Sequence, residues 1–332
     1  MRVSILGAGG WGTALSIILA ERNQETVLWE YFPEYARILE RKRMNAKFLK
    51  GIKIPRTIEI TSNLKYAVEK SEMIVIAVPS HVIRGLLENI KKNDYKEKIF
   101  VSVSKGIEQK TLLTISGIIK EVLGAVKTAV LSGPSHAEEV ARKVPTSVVV
   151  ASKNKELALK VQDAFFTNSF RVYANDDVKG VELGGSLKNV IAIAAGVLDG
   201  MSAGDNVKAA LITRGIAEVI RLGRAMGAKE STFYGLSGIG DLIVTCGSRH
   251  SRNRMVGEQL GKGMKIDEIL GKMEMVAEGV KTTKSVYDLS KKYGVDMPIS
   301  KEIYKVVYKN KEPFHSMRDL MTRSPKWERD LY

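Results

Sequence analysis

Lys188 and Asn189 stand in the middle of VELGGSLKNVIAIAAGVLDG, a run from Val181 to Gly200 that is largely apolar and rich in Gly and Ala. The run reads as a buried helix, and burial disfavours a charged ammonium. An amine kept in such a place is suited to giving a proton to a reacting oxygen and taking it back. A second chemical signal opens the chain. Gly7-Ala8-Gly9-Gly10-Trp11-Gly12 follows an apolar strand pattern at Val3–Leu6 and leads into a helical pattern at Thr13–Arg22, with a further strand at Val27–Trp29. A G-x-G-x-x-G run in that context is a dinucleotide-binding turn. Gly7 allows the tight turn, Gly9 lets a pyrophosphate approach the backbone, and Gly12 lets helix and strand pack closely. The helix N-terminus adds amide donors and a positive dipole end. A dinucleotide held at one end of the chain is thus expected to meet a reactive amine from the other.

Three more runs carry polar groups at helix starts or turns: Gly204-Asp205-Asn206, Gly238-Ile239-Gly240-Asp241-Leu242 leading to Thr245, and Ser251-Arg252-Asn253-Arg254. Arg252 with Asn253 at a helix N-terminus suits a phosphate monoester, since guanidinium, amide and helix dipole all favour the anion. The bland alternative is that Ser251 or Asn253 only caps the helix and Arg252 is solvated. Ser135 followed by Glu138 likewise fits a simple capping box.

The elements that position these groups divide the chain in two. Further strands are expected at Met73–Val78, Ile99–Val103, Ala129–Leu131, Ser147–Ala151 and Phe170–Tyr173, alternating with helical stretches. Such alternation predicts a Rossmann-like, doubly wound parallel sheet. Small, polar and cationic residues follow the strands, where ligands sit on these sheets. After about Asp177 helical patterns take over, at 179–199, 205–227, 252–261, 265–273, 278–293 and 299–309. The reading is a dinucleotide-binding domain at 1–177 and an all-α substrate-binding and catalytic domain at 178–332, of the 6-phosphogluconate-dehydrogenase type. The tail from Ser316 to Tyr332, with Met317, Leu320 and Met321, is read as a surface cap.

Composition narrows the class. The chain has 332 residues, 44% of them apolar, and a formal net charge of +15. The basic residues are spread along it, as in RKR at 41–43 and the Lys pairs at 91–92 and 291–292, with no aromatic-interleaved stripe of the kind nucleic acids need. Cys246 is the one cysteine and the four histidines lack metal-ligand spacing, so neither a disulfide nor a metal site is expected. No leader segment and no apolar run of ~18 residues is read in the sequence. The expectation is a cytoplasmic protein acting on a small molecule, with no nucleic acid, no membrane span, and a homodimer left open.

These residues together resemble the bacterial NAD(P)-dependent glycerol-3-phosphate dehydrogenases over essentially the whole chain. The likeness rests on GAGGWGTAL (7–15), AVPSH (77–81), SKGIE (104–108), LSGPSHAEE (131–139), FRVY (170–173), GSLKNVIAIAAG (185–196), LITRGIAE (211–218), GDLIVTC (240–246), SRNR (251–254), VAEG (276–279) and MPI (297–299). The resemblance implies reversible hydride transfer between nicotinamide C4 and C2 of dihydroxyacetone phosphate, giving sn-glycerol 3-phosphate for glycerophospholipid synthesis. It implies Lys188 as proton donor and acceptor. It places Lys105, Asp241 and Thr245 at the reacting end, Gly133 and Ser135 on the substrate, and Ser251, Arg252 and Asn253 on the phosphate. Contacts to the dinucleotide are implied for Gly10, Trp11, Tyr31, Lys105, Ala137, Arg252, Val276 and Glu278.

The chemistry fits on independent grounds. Ketone reduction needs a proton at the developing alkoxide, and a lysine both polarises the carbonyl and gives that proton. Burial and a second cation, Lys105, would lower the affinity of Lys188 for its proton, while Asp241 would oppose that and orient the ammonium. The second strand ends at Glu30, where many bacterial members carry His or Arg. An acid there accepts from the ribose hydroxyls of NAD and repels a 2′-phosphate, so NAD is expected over NADP. The alternatives for Glu30 are a solvent-facing pair with Arg2 or Lys53, leaving Tyr31 to stack on adenine. Two other readings compete with the whole: another hydroxy-acid or sugar-acid dehydrogenase of the same superfold, and an NAD(H)-sensing protein without turnover.

Overall fold

The computed structural model describes residues 1–273, 276–325 and 327–328. They form two compact units: Met1–Lys105 with Ile115–Val178, and Gly106–Thr114 with the described residues from Lys179 onward.

The first unit is an α/β sheet domain. Its strands and helices run β1 (Arg2–Leu6), α1 (Gly10–Glu21), β2 (Glu25–Trp29), α2 (Pro33–Lys42), β3 (Ile58–Thr61), α3 (Leu64–Glu69), β4 (Met73–Ile76), α4 (Ile83–Ile90), β5 (Ile99–Ser102), α5 (Ile115–Leu123), β6 (Lys127–Ser132), α6 (Ala137–Ala141), β7 (Thr146–Ala151), α7 (Lys155–Phe165) and β8 (Phe170–Asn175). The eight strands lie in the order β3-β2-β1-β4-β5-β6-β7-β8. The order reverses between β1 and β4, so loops after these two strands flank the crevice where such sheets take ligands. Strands buried on both faces read as continuous apolar runs, and every residue of β4 and β5 is buried. Two expectations are corrected. The sheet is not wholly parallel, because β6 pairs with β7 antiparallel. A strand was also missed: β3, four residues long and with only Ile58 buried, pairs with β2.

The second unit is helical among its described residues: α8 (Val178–Gly200), α9 (Asp205–Ala225), α10 (Glu230–Phe233), a π-helical turn (Leu236–Gly240), α11 (Asp241–Gly247), α12 (Arg252–Gly261), α13 (Ile266–Gly271), α14 (Glu278–Tyr293), α15 (Pro298–Lys309) and α16 (Pro313–Met321). The sequence patterns missed α10, the π turn, α11 and α16. Lys326 and residues 329–332 of the tail lie outside the described residues. Gly106–Thr114, assigned above to the first domain, packs in this unit. Ile107 is buried in its core, Ser285 Oγ donates to the Ile107 carbonyl at 3.0 Å, and Ser186 Oγ to that of Gly106 at 3.3 Å.

α8 is the core helix, with every residue from Gly180 to Leu198 buried. It corrects the sequence reading on one point. Its 18-residue window of mean hydropathy 1.4 is long and apolar enough to cross a membrane, yet it is buried in the protein throughout. Glycine brings α12 onto it backbone to backbone. A methyl at Gly196 would stand 1.9 Å from the Arg254 carbonyl, and one at Gly257 2.0 Å from that of Ile193.

Another buried contact makes the stability of this unit pH-dependent. Met297 offers α15 no side-chain cap, so its first amides need an outside acceptor. Glu218 on α9 supplies it, accepting from Ile299 N at 2.6 Å, Ser300 N at 3.1 Å and Ser300 Oγ at 2.9 Å. Burial nonetheless outweighs these bonds and pushes its carboxyl up from 4.5 to about 7. A carboxyl with a raised folded-state value stabilises most below its unfolded value, and that contribution fades as pH rises through the folded one. The melting-temperature gap between wild type and Glu218→Gln should therefore narrow from pH 4.5 to pH 7.5. Thermal melts at both ends check this, and a gap that widens refutes it.

Candidate active site

In the first unit, the turn after β1 is built for close backbone approach. Gly7 has φ +117°, and a methyl there would meet the Ala77 carbonyl, just beyond β4, at 2.8 Å. A methyl at Gly12 would stand 1.9 Å from the Gly7 carbonyl, so its absence lets α1 sit on the turn. Around Gly9 nothing lies within 4 Å, which leaves that side of the turn open. Gly10 owes its lack of a side chain to Phe48, whose carbonyl would be 2.6 Å away, and it opens α1. Trp11 is next, its ring tilted toward Phe170 at 6.3 Å. Sequence reading overlooked Asn45 here. It is fully buried, donates to the Ala8 carbonyl and Thr13 Oγ1, both at 2.8 Å, and ties the turn to α1.

Glu30 comes directly after β2 and is 7% exposed. Its carboxylate accepts from Phe32 N at 3.0 Å. Burial raises its pKa, opposed by the amides of Phe32, Tyr31 and Ala8 and by the Lys47 charge. The alternative pairing with Arg2 or Lys53 is not made: Arg2 is engaged by Glu59 at 2.7 Å and by Tyr66. Tyr31 is 69% exposed, with its ring at right angles to Phe32.

Beyond β5 and β6 of the same unit, Gly133 is the meeting point. It has φ +141°, and its carbonyl accepts from Lys105 Nζ at 2.9 Å and Ser135 Oγ at 2.9 Å. The capping box considered for Ser135 does not form, because His136 is the N-cap of α6 and makes no side-chain cap bond. Ala137 opens that helix.

In the second unit, Lys188 is 6% exposed and Asp241 1%. Lys188 Nζ stands 2.8 Å from Asp241 Oδ1 and donates to Thr245 Oγ1 at 2.5 Å. Thr245 Oγ1 in turn donates to the Asp241 carbonyl at 2.6 Å, one helical turn back on α11. The amine is thus fixed between an anion and a hydroxyl, and all three groups are buried.

Ser251 caps α12, accepting from Arg254 N at 3.2 Å. Arg252, exposed at the first position of that helix, donates to the Val276 carbonyl at 2.7 Å. Asn253 is buried. Its Nδ2 donates to Asn189 Oδ1, and its Oδ1 accepts from Gly279 N, both at 2.9 Å. Glu278 opens α14 one residue before Gly279. The starts of α12 and α14 are thereby tied to Asn189, the neighbour of Lys188, to which sequence reading gave no role. In the second unit Lys188, Asp241 and Thr245 form one hydrogen-bonded group and Asn189 and Asn253 another, and in the first Lys105 and Ser135 meet at the Gly133 carbonyl.

The model of the N-terminal part of the NAD-dependent glycerol-3-phosphate dehydrogenases matches residues 2–158, and that of the C-terminal part matches residues 177–318. The chain belongs to this family. It is 51% identical to a glycerol-3-phosphate dehydrogenase (NAD(P)+) of Chlorobium phaeobacteroides strain BS1, over 99% of each chain. It is also 51% identical to the Lysinibacillus sphaericus enzyme of the same name, over 99% of this chain and 98% of that one. The crystal structure of glycerol-3-phosphate dehydrogenase from Coxiella burnetii superposes with a TM-score of 0.94 at 36% identity, covering 97% of this chain and 99% of that one. A ketopantoate reductase from Ralstonia eutropha, at 14% identity and a TM-score of 0.61, shares the fold.

Proposed function

We propose that this protein is an NAD(P)-dependent sn-glycerol-3-phosphate dehydrogenase that reversibly reduces dihydroxyacetone phosphate. The observation that carries the reading is the buried Lys188 amine at 2.8 Å from Asp241 and 2.5 Å from Thr245, in a chain of this family. A fixed ammonium in a water-poor setting stabilises the alkoxide that forms at C2 and supplies its proton. Asp241 and Thr245 hold the amine in one orientation. Lys105 serves the reacting end, Gly133 and Ser135 hold the substrate, and Ser251, Arg252 and Asn253 form the phosphate seat at the start of α12. The open side of Gly9, the α1 amides, Trp11, Glu30, Tyr31 and Ala137 fit a dinucleotide, and the family resemblance adds Val276 and Glu278. The dinucleotide supplies the hydride. Supply of glycerophospholipid synthesis and a cytoplasmic location belong to the same proposal.

The test is the initial rate of NADH and NADPH oxidation at several dihydroxyacetone phosphate concentrations. Turnover that saturates in this substrate is expected. Turnover with a 2-keto acid or a sugar acid in its place, or none, overturns the reading.

Glu30 extends the proposal to cofactor choice. Its carboxylate is buried directly after β2 and accepts from Phe32 N at 3.0 Å. A 2′-phosphate there would bring like charges together. Wild type is expected to prefer NADH, and Glu30→Gln to narrow the preference with kcat almost unchanged. Measuring kcat/KM for both cofactors in both proteins decides it, and NADPH used as well as NADH by wild type refutes it.

A further inference from the structure

Asp241 reaches Lys188 by an unusual route. The chain before it is a π-helical turn, Leu236–Gly240, closed by Gly240 N donating to the Gly235 carbonyl at 3.2 Å. A π turn holds one residue more than an α turn, so it rotates the helix beyond it, and such turns recur at functional sites. Here that helix is α11, which opens with Asp241 and carries Thr245 one turn later.

This turn rests on bare backbone. A methyl at Gly184 of α8 would lie 2.5 Å from the Ser237 carbonyl oxygen, 3.0 Å from its carbon and 3.3 Å from Gly238 Cα. On its other side a methyl at Gly238 would stand 2.0 Å from the Phe233 carbonyl. Gly184 and Lys188 are four residues apart on one helix, and so share a face one above the other. The glycine that seats the π turn therefore lies directly beneath the amine that the turn's next residue pairs with.

We propose that Gly184 and the Leu236–Gly240 π turn form a fixed seat that sets the Lys188–Asp241 distance, making Gly184 a positioning residue for proton transfer. The inference rests on the role given to Lys188 above. The contact is with backbone on both sides, so no side-chain rotation relieves it. A methyl at position 184 must move the Ser237 carbonyl from 2.5 Å to the ordinary 3.4 Å, a retreat of about 0.9 Å. That displacement passes to Asp241 four residues on. A shift of about 1 Å in a catalytic array costs on the order of 10²-fold in rate.

The experiment compares wild type, Gly184→Ala, Lys188→Ala, and Gly271→Ala as a control, since nothing lies within 4 Å of a methyl at Gly271. For Gly184→Ala we expect kcat for dihydroxyacetone phosphate to fall by about 10- to 100-fold. Its KM values for substrate and dinucleotide should stay within about threefold, and the solvent deuterium isotope effect on kcat should rise, because proton transfer has become slower. A merely structural role would lower the active fraction and leave the isotope effect of the remaining enzyme unchanged. A kcat equal to that of Gly271→Ala overturns the proposal. If Gly184→Ala does not fold, amide exchange in wild type decides. A rigid seat keeps the Gly240 amide among the slowest-exchanging in its unit, and fast exchange there overturns the proposal. Failure of the underlying reading looks different: wild type without dihydroxyacetone phosphate turnover, or Lys188→Ala with full turnover.

Discussion

Lys188→Ala is expected to lower the rate of dihydroxyacetone phosphate reduction by ~10²–10⁴, the usual scale for a general acid–base group. The geometry explains why no neighbour substitutes. Asp241 Oδ1 is paired to the amine itself, and Thr245 spends its proton on the Asp241 carbonyl at 2.6 Å. Removing the amine has a second consequence. It leaves the Asp241 carboxylate, 1% exposed, without the cation that offsets its burial. Breaking a buried pair from one side costs about 3–5 kcal/mol, so the variant should also melt earlier. Rates must be normalised to folded protein, and Lys188→Met, which fills the volume, should show the same loss of rate. Dinucleotide affinity, measured by nucleotide fluorescence, should hardly change, since Gly7–Gly12 and Glu30 lie on the other unit. Near wild-type turnover in either variant would sink the assignment.

Local signals were legible in the sequence, and long-range ones were not. The glycine turn was readable because its spacing lies within six residues between a strand and a helix pattern, although the groups that crowd Gly7 and Gly10, the Ala77 and Phe48 carbonyls, are distant in sequence. Lys188 was readable because it is the one cation in an apolar stretch that is buried from Gly180 to Leu198. β3 escaped notice because a four-residue edge strand with a single buried side chain has no periodicity to detect. The antiparallel β6–β7 pair escaped because α6, the helix between them, is only five residues long, and strand direction is a property of that connection. The π turn escaped for an instructive reason. Glycines in LSGIG look like a loop, whereas Gly238 is there to let a helical backbone touch Phe233. Asn45 and Asn189 work through amide pairs to residues 37 and 64 positions away, which no spacing rule reveals. The partners of Lys188 were available only through family resemblance.

Arg252→Ala separates recognition from chemistry. Ser251 caps α12, Asn253 is buried against Asn189 and Gly279, and Arg252 alone of the three reaches solvent from the first helical position. Its side chain holds the Val276 carbonyl from the helix surface. The substrate phosphate carries about −1.5 to −2 charges near pH 7. A charge-assisted hydrogen bond contributes about 1.5–3 kcal/mol, so KM for dihydroxyacetone phosphate should rise by ~10- to 150-fold. Use of unphosphorylated dihydroxyacetone should barely alter, because it never engages the guanidinium. Some loss of dinucleotide affinity is expected as well, through the freed Val276 carbonyl. Arg252→Lys should recover only part of the loss, since an ammonium restores the charge without the planar fork. Steady-state constants for both ketones across the three proteins provide the check. Equal losses on the two substrates would mean that the phosphate is held elsewhere and that Arg252 acts on the fold or the dinucleotide instead.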